Sequence, residues 1–313
     1  LILCEIANVG QHRKIQLSNQ RYSEFYPGDQ VVLCVGSRYA PDQFQGDAKI
    51  AGEHCDLMAA GGVAGTVVRA HASMKPPTSL RPLGLVTDTN GEVINIARYA
   101  VAPSDIPDSV TVIAVVGASM NAGKTTAAVG LAHGLNRAGL RAAGAKATGT
   151  GAFGDVNAME DAGVPAIDFT DAGFASTYQV DHEALINCFE TLVGTAASRG
   201  ADVVVVEFAD GIFQEETAAL LTTSRIRDRL DGVVFAAPDA VSSAGGVTWL
   251  RDNLFAPLAV SGKVTCSPIA EDEAVLQTGV PHLSRAKLCD PAVVGPLVAP
   301  IHRGRAASGQ SAA

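Results

Sequence analysis

The clearest hydrophobic pattern in the chain is an apolar run over residues 111–116 that leads into a loop of small residues. The full stretch from Thr111 to Leu131 reads TVIAVVGASMNAGKTTAAVGL. Apolar residues recur at helical spacing directly after the loop, which predicts a helix from Lys124 to about Arg137. The pattern therefore predicts a strand, a small-residue loop and a helix in direct succession.

Further apolar runs alternate with helical periods toward the end of the chain. Four consecutive valines, Val203 to Val206, are typical of a strand that is buried on both faces of a parallel sheet. This alternation predicts an α/β domain with a doubly wound, mostly parallel sheet that binds ligands at the carboxyl ends of its strands. Other predicted strands are residues 140–145, 166–169, 232–236 and 258–260, with a short helix ending at residue 162 and a longer one over 181–198.

The first hundred residues show short β-rich runs and no long helical period. Asn90-Gly91, between two apolar runs, is a strong hairpin signal. We therefore predict a smaller, mostly-β N-terminal domain before the α/β domain. Its predicted strands are residues 14–17, 30–35, 63–70, 83–87 and 93–96. The predicted organisation is an N-terminal domain over residues 1–101, a linker over 102–108, the α/β domain over 109–301 and a flexible tail over 302–313.

Composition narrows the class of protein. The 313 residues are 47% hydrophobic and 18% charged, as in globular domains, and the net charge of −9 argues against nucleic acid as a partner. The six cysteines show no metal-ligand spacing and are expected to be reduced. No apolar run approaches the ~20 residues of a membrane span, and no signal peptide opens the sequence. These features predict a cytoplasmic protein with no membrane partner.

The loop after the first strand carries the chemistry of a phosphate site. Small residues let backbone N–H groups curl around phosphate oxygens, and the following helix adds its positive N-terminal end. Lys124 can reach the β and γ phosphates, and the Thr125 hydroxyl can ligate Mg²⁺. Ala118 stands where the usual pattern has its first glycine, and the Gly117-Ala118 pair still supplies a flexible entry. The alternative is an ordinary glycine-containing strand-to-helix turn with a surface lysine. The predicted nucleotide-binding residues are Gly117, Ala118, Ser119, Met120, Asn121, Ala122, Gly123, Lys124, Thr125 and Thr126.

Charged residues follow the other predicted strands. Glu207 ends the valine strand, where a carboxylate is costly unless it meets a cation, so we predict a metal role with Thr125 and Asp155. The alternatives are a solvent-edge acid for Glu207 and a loop or N-cap aspartate for Asp155. Lys146 either neutralises phosphate or a substrate carboxylate, or is a surface lysine. Asp210-Gly211 is predicted to form a turn, either with a role in the site or as a turn alone.

Two loops and one polar segment are the other candidate binding regions. A nucleotide base is expected beside residues 237–240 or 261–263. The polar and aromatic segment over residues 38–44 is either a binding loop or an exposed loop anchored by Tyr39 and Phe44. His54, Cys55 and Asp56 adjoin in sequence, but neighbours on a strand point to different sides, so a metal site is not expected there.

The motifs GASMNAGKTT, AGAKATGTG, GDVNAMEDAG and VVVVEFADG resemble those of P-loop NTPases related to dethiobiotin synthetase and cobyric-acid-type amidoligases. The resemblance covers Val112 to about Val260. It implies that Lys146 contacts substrate and that Asp155 and Glu207 bind Mg²⁺. Relatives of this class often build sites across a dimer, so the resemblance also implies a homodimer.

The sequence departs from that family where its E-G-A-G-G stretch becomes Glu207-Phe208-Ala209-Asp210-Gly211. The β-rich N-terminal domain is also absent from dethiobiotin synthetase. The P-loop half of the D-glutamate N-acetyltransferase-like proteins is similar in arrangement. The chain contains no Asn-Lys-x-Asp guanine-reading stretch, which mildly favours ATP over GTP.

Three functions are compatible with these features. The first is a Mg-ATP-dependent enzyme with Lys124, Lys146 and Glu207 as catalytic residues. It hydrolyses ATP, or transfers a phosphoryl group to an unidentified small-molecule substrate near Lys146 and residues 148–153, including ligase-type activation of a carboxylate. The second is a nucleotide-dependent switch whose N-terminal domain binds a protein partner. The third is a nucleotide sensor without catalysis, which the presence of Asp155 and Glu207 disfavours.

Overall fold

The computed structural model describes residues 1–50 and 52–310, which divide into two compact units. The first unit contains Leu1–Val101 together with two later segments, Gly149–Gly154 and Phe169–Val180. The second contains the remaining residues from Ala102 onward. Residues 102–108, the predicted linker, belong to the second unit. There the Ser104 carbonyl approaches Gly194 so closely that a Cβ on this glycine would lie 1.9 Å from the carbonyl oxygen.

The first unit is built on a six-stranded, mainly antiparallel sheet in the order β4-β1-β8-β6-β7-β5. β4 also pairs with β7 in parallel, so five of the strands close on one another. A separate two-stranded sheet joins β2 and β3. The strands are β1 Ile2–Asn8, β2 Lys14–Gln16, β3 Tyr22–Glu24, β4 Gln30–Val35, β5 Phe44–Asp47, β6 Cys55–Ala59, β7 Val63–Ala70 and β8 Thr78–Leu85, and a 3-10 helix covers Ile96–Tyr99.

Alternation of buried and exposed side chains explains this sheet. Ile2, Cys4 and Ile6 of β1 point inward and pack with Leu33, Leu57 and Leu80 in one core. Such period-2 burial is the usual pattern for a strand with one face on the core.

Two predicted strands of the first unit differ in the structure. The strand predicted over residues 83–87 begins earlier, because Thr78–Leu80 pair with β6 and Leu80 lies in the core. Residues 93–96 form no strand, and only Thr87 and Val93 make an isolated bridge. The turn at Asn90-Gly91 is present, with the Asp88 N–H donating to the Glu92 carbonyl at 2.9 Å. The hairpin is therefore reduced to one bridge.

The second unit contains a six-stranded parallel sheet in the order β11-β10-β12-β9-β13-β14. Its strands are β9 Thr111–Gly117, β10 Ala142–Lys146, β11 Ala166–Asp168, β12 Val203–Glu207, β13 Gly232–Ala236 and β14 Ala259–Ser261. Its helices are α1 Lys124–Arg137, α2 Phe153–Asp161 (which starts in the first unit), α3 His182–Ser198, α4 Glu215–Thr222, α5 Ser224–Arg227, α6 Ala240–Asn253, α7 Pro268–Thr278, α8 Arg285–Leu288 and α9 Pro291–Gln310, and a 3-10 helix covers Lys263–Cys266.

Burial on both faces accounts for the uninterrupted valines of β12. Val203 and Val205 pack in one core with Leu131 of α1 and Val294 of α9. The alternate residues, Val204 and Val206, are also fully buried. Two groups of helices, α1 with α8 and α9 and α3 with α4 and α5, each have one helix in contact with β12. This is the predicted α/β arrangement with helices on both faces of a parallel sheet.

The helix α9 runs through Gln310, so it includes most of the tail predicted over residues 302–313, and residues 311–313 lie outside the described part of the chain. Val294 and Val298 anchor this helix in the core. Among the described residues, no helix has both the length and the apolar character needed to cross a membrane.

Candidate nucleotide-binding site

The loop between β9 and α1 curves as a phosphate-binding loop requires. Asn121 and Gly123 both have left-handed backbone conformations, with φ of 61° and 108°. Gly123 is the N-cap of α1 and provides no side-chain cap for the helix. The first N–H groups of a helix have no partner within the helix, so those of α1 are directed toward an incoming ligand.

Glycines hold this loop against its neighbours. A Cβ on Gly262 would lie 2.3 Å from the Ala122 carbonyl oxygen, and one on Gly211 would lie 2.5 Å from that of Ala118. The Lys263 N–H donates to the Ala122 carbonyl at 3.1 Å. These backbone-to-backbone approaches leave no room for side chains, so the loop is fixed from two sides.

Lys124 lies within the loop rather than on the surface. Its side chain is buried, and its Nζ donates to the carbonyl of Ser119 at 2.8 Å. Burial lowers the pKa of Lys124, while the carboxylates of Glu207 and Asp210 oppose that shift. An ammonium held against a loop carbonyl in this way is available to a phosphate oxygen, which is a stronger acceptor because it is charged.

Three oxygen atoms converge at the start of α1. The Thr125 hydroxyl lies 3.2 Å from Oδ1 of Asp155 and 3.1 Å from Oε1 of Glu207. Glu207 is only 3% exposed, so it is not a solvent-edge acid, and burial raises its pKa against the opposing effect of Lys146. Asp155 is the third residue of α2 and so is not its N-cap. One hydroxyl hydrogen cannot satisfy two carboxylates, and this all-oxygen set fits Mg²⁺.

Lys146 lies at the same edge of the sheet and forms an ion pair with Asp155. Its side chain is 16% exposed, which excludes the alternative of a surface lysine. Burial alone would lower the pKa of Lys146, but the carboxylates of Glu207, Asp155 and Asp168 raise it above its ordinary value. The lysine is therefore a cation that carboxylates on neighbouring elements hold in place.

These side chains line one cavity of about 670 Å³ within the second unit, a volume typical of small-ligand sites. Its acidic residues, Asp155, Glu207 and Asp210, accompany Lys124 and Lys146. The lining also includes two other basic residues, Lys263 from the predicted loop over residues 261–263 and Arg285, which the sequence did not single out. The lining residues are Met120, Asn121, Gly123, Lys124, Thr125, Thr126, Ala127, Lys146, Asp155, Glu207, Ala209, Asp210, Ser261, Gly262, Lys263, Thr265, Cys266, Ser284, Arg285 and Ala286.

Several predicted neighbours of the site have structural roles instead. Thr148 is buried, and its hydroxyl donates to the carbonyl of Ala209 at 2.6 Å. It is not among the residues that line the cavity. Residues 149–153, which were expected beside the substrate, pack in the first unit. Of the two predicted base-binding loops, residues 261–263 line the cavity and residues 237–240 do not. Asp239 instead caps α6 by accepting from the Ser242 N–H at 2.7 Å.

The polar segment over residues 38–44 of the first unit is packed at most positions, with only Pro41 and Asp42 exposed. Phe44 is fully buried in β5, and the ring of Tyr39 contacts that of Tyr178 at a centroid distance of 5.5 Å. Arg38 is also buried and donates to Oε1 of Gln43 at 2.8 Å. The two anchors are those that the sequence indicated. Within the described residues, no three His, Cys, Asp or Glu side chains are grouped to hold a metal ion, at His54 or elsewhere.

The second unit combines three features of a phosphate site. The strand β9 enters a glycine-bearing loop, and a lysine and a hydroxyl stand at the start of the next helix. A carboxylate ends the adjacent parallel strand β12. The second unit has an α/β fold with the strand, loop and helix arrangement of a P-loop. This assignment rests on the strand, loop and helix themselves and on the order of the parallel sheet.

Comparison with known proteins gives only distant similarity. No family model matches the chain, and no curated protein matches it. Among solved structures it is similar to the signal recognition particle 54 kDa protein from Aeropyrum pernix K1 in complex with GDP, at 18% identity over 63% of this chain and 50% of that one, with a TM-score of 0.39. It is also similar to the signal recognition particle receptor FtsY from Elizabethkingia anophelis, at 20% identity over 53% of this chain and 52% of that one, with a TM-score of 0.36.

The same receptor in complex with GDP is 20% identical over 60% of each chain, with a TM-score of 0.40. The chain thus spans about half to three fifths of the length of these proteins. Similarity at this level carries no conclusion about activity. None of the structures named here is a dethiobiotin synthetase or a cobyric-acid-type amidoligase, so that narrower relationship is a proposal.

Proposed function

We propose that the second unit binds a magnesium-bound nucleoside triphosphate along residues 117–126 and cleaves its terminal phosphate. The observation that carries this proposal is the convergence of Thr125, Asp155 and Glu207 beside Lys124. A Mg²⁺ ion held by these oxygens would neutralise charge on the phosphates. Catalysis of this kind requires mainly positioning and charge neutralisation, which the buried cations and carboxylates supply.

Each residue has a distinct part in this proposal. The N–H groups at the start of α1 bind phosphate oxygens, and Lys124 exchanges the Ser119 carbonyl for a phosphate oxygen. Thr125, Asp155 and Glu207 hold the metal ion. Lys146 binds an oxygen of the transferred group or of its acceptor, because it is the cation next to the metal ligands. The acceptor is water or a small molecule with a carboxylate or hydroxyl group.

We propose ATP as the nucleotide, because the sequence lacks the Asn-Lys-x-Asp stretch that reads guanine in many GTPases. The narrower proposal of a ligase adds activation of a carboxylate as an acyl phosphate, by analogy with the motifs quoted above. Lys146, Asp155 and Glu207 match that pattern, while the segment Glu207–Gly211 departs from it.

The test is release of phosphate from Mg-ATP and Mg-GTP by the full chain, alone and with a pool of small carboxylates and alcohols. Turnover that rises with one acceptor, together with hydroxylamine trapping of an acyl phosphate, supports the ligase. Slow turnover that no acceptor changes supports hydrolysis alone. Absence of both nucleotide binding and phosphate release would overturn the proposal.

The second candidate is a nucleotide-dependent switch, and the Lys146–Asp155 ion pair favours it. Asp155 is a proposed metal ligand, yet the residues directly before it, Gly149–Gly154, pack in the first unit. In this candidate function, a change at Asp155 on metal binding would alter the backbone of the adjacent segment 149–154. Hydrogen exchange of residues 149–154 with and without Mg-nucleotide tests this, and a switch further requires a protein that binds in only one nucleotide state.

A further inference from the structure

Asp168, at the end of β11, is an acidic residue that lies next to the proposed site without lining its cavity. Lys146 on β10 is paired in register with Asp168 on one side and with Glu207 of β12 on the other. All three residues are the last of their parallel strands. The lysine is therefore flanked by a carboxylate on each neighbouring strand.

The three carboxylates near Lys146 differ in what else they can bind. Asp155 and Glu207 line the cavity and both approach the Thr125 hydroxyl, so a metal ion there can draw on them. Asp168 is only 4% exposed and is not part of the lining. Its charge raises the pKa of Lys146 and also that of the buried Cys188 thiol, for which burial is the larger cause. A buried carboxylate needs a cation or several hydrogen bonds, and Lys146 is a cation adjacent in register.

Metal binding shifts the balance of charge around Lys146. A divalent ion bound there would attract Asp155 and Glu207, and their hold on the lysine would weaken. Asp168 is not part of the cavity lining, so it is not placed to ligate that ion. We propose that Asp168 is the positioning residue for Lys146, holding its ammonium group at the edge of the sheet while Mg²⁺ engages Asp155 and Glu207. This inference rests on the proposed function.

The experiment compares the wild type with Asp168→Asn, which keeps the shape of the side chain and removes its charge. We expect kcat for phosphate release to fall about 10-fold or more, with KM for Mg-nucleotide within about threefold of wild type. Lys146→Ala and the double variant complete a cycle, in which Asp168→Asn has little further effect once Lys146 is absent. The matched control is Asp161→Asn, on the exposed end of α2, which should leave both constants unchanged.

The possible results separate the two claims. Wild-type protein that neither binds nor cleaves nucleotide overturns the proposed function and, with it, the role of Asp168. An active wild type with an equally active Asp168→Asn variant, or additive losses in the cycle, overturns only the positioning role.

If Asp168→Asn does not fold, a crystal structure of the wild type with Mg²⁺ and a non-hydrolysable triphosphate decides the question. The proposal expects Nζ of Lys146 within hydrogen-bond distance of the Asp168 carboxylate. A lysine that turns away from Asp168 in that complex contradicts it.

Discussion

The Thr125 hydroxyl and Oε1 of Glu207 lie 3.1 Å apart, although 82 positions separate the two residues in the sequence. The contact exists because β12 and β9 are adjacent parallel strands, with Glu207 in register with Val115. Thr125 follows the loop that begins at the end of β9. The topology of the sheet therefore brings a hydroxyl and a buried carboxylate to one point, where a metal ion would bind.

Replacement of Glu207 by Gln should reduce turnover much more than nucleotide binding. The amide keeps a neutral oxygen near Thr125 but loses the charge that a metal ion needs. We expect kcat to fall about 10- to 100-fold or more, and the Kd for Mg-nucleotide to change less than about 10-fold. Calorimetry measures the Kd, and phosphate release measures kcat. The control is Glu160→Gln, at the exposed end of α2. Undiminished turnover in Glu207→Gln would remove Glu207 from the metal site.

Replacement of Gly262 by Ala should damage the phosphate loop itself. Gly262 has φ of 94°, and a Cβ there would lie 2.3 Å from the Ala122 carbonyl oxygen. Gly279 is the matched control, because it has φ of 63° but open space around its Cα. The backbone strain of an alanine is about 1–2 kcal/mol at Gly279, which is in the left-handed helical region. It is about 1–3 kcal/mol at Gly262, whose ψ of −158° places it in a region that is essentially restricted to glycine. Only Gly262→Ala should also displace the loop and weaken nucleotide binding roughly 10-fold or more, by at least ~1.4 kcal/mol.

Thermal unfolding and nucleotide titration of both glycine variants check this expectation. Equal Kd values for Gly262→Ala and the wild type would show that the loop does not depend on this close contact.

The first unit should lose stability in mild acid through His12. Burial and the charge of Arg38 lower the pKa of His12 to about 4, against an opposing hydrogen bond from the ring to the Met58 carbonyl. The unfolded chain binds this proton near pH 6.5, before the folded chain does, so stability present above pH 6.5 is lost as the pH falls toward 4. His12→Gln can still donate to Met58 and does not titrate.

Urea unfolding midpoints of the wild type and His12→Gln, measured between pH 7 and pH 4, test this directly. The difference between the two proteins should change over that range, whereas His71→Gln, at an exposed position, should follow the wild type. Parallel pH profiles for the wild type and His12→Gln would contradict the assignment.

The second unit could be predicted well from local pattern, because its strands are continuous apolar runs. β9, α1 and the valine strand β12 lie where the sequence indicated. Lys146 and Glu207 were selected as candidate site residues because they stand at the ends of predicted strands. The same rule could have found Asp168, since it directly follows Ala166 and Ile167.

The first unit was harder to predict, because its strands are short and their register is interrupted by bulges. β5 and β6 are only four and five residues long. β1 has alternating burial, but Leu3 and Ala7 are apolar as well, so its letters show no alternation, and its pairing with β8 shifts twice. The two segments from the second half of the chain that pack in this unit have no local signature. Their placement depends on tertiary contacts between residues that are far apart in the sequence. The Lys146–Asp155 ion pair likewise forms only when the chain has folded.

The most direct test of the account is the affinity of Mg-ATP for the wild type and for Lys124→Ala, measured by isothermal titration calorimetry with Mg-GTP in parallel. Lys287→Ala is the matched control, because Lys287 is an exposed lysine paired with Glu271. The account predicts saturable binding of a Mg-nucleotide to the wild type and to Lys287→Ala, and a loss of about 100-fold or more in Lys124→Ala. Wild-type affinity in Lys124→Ala would contradict the claim that residues 117–126 form the nucleotide site.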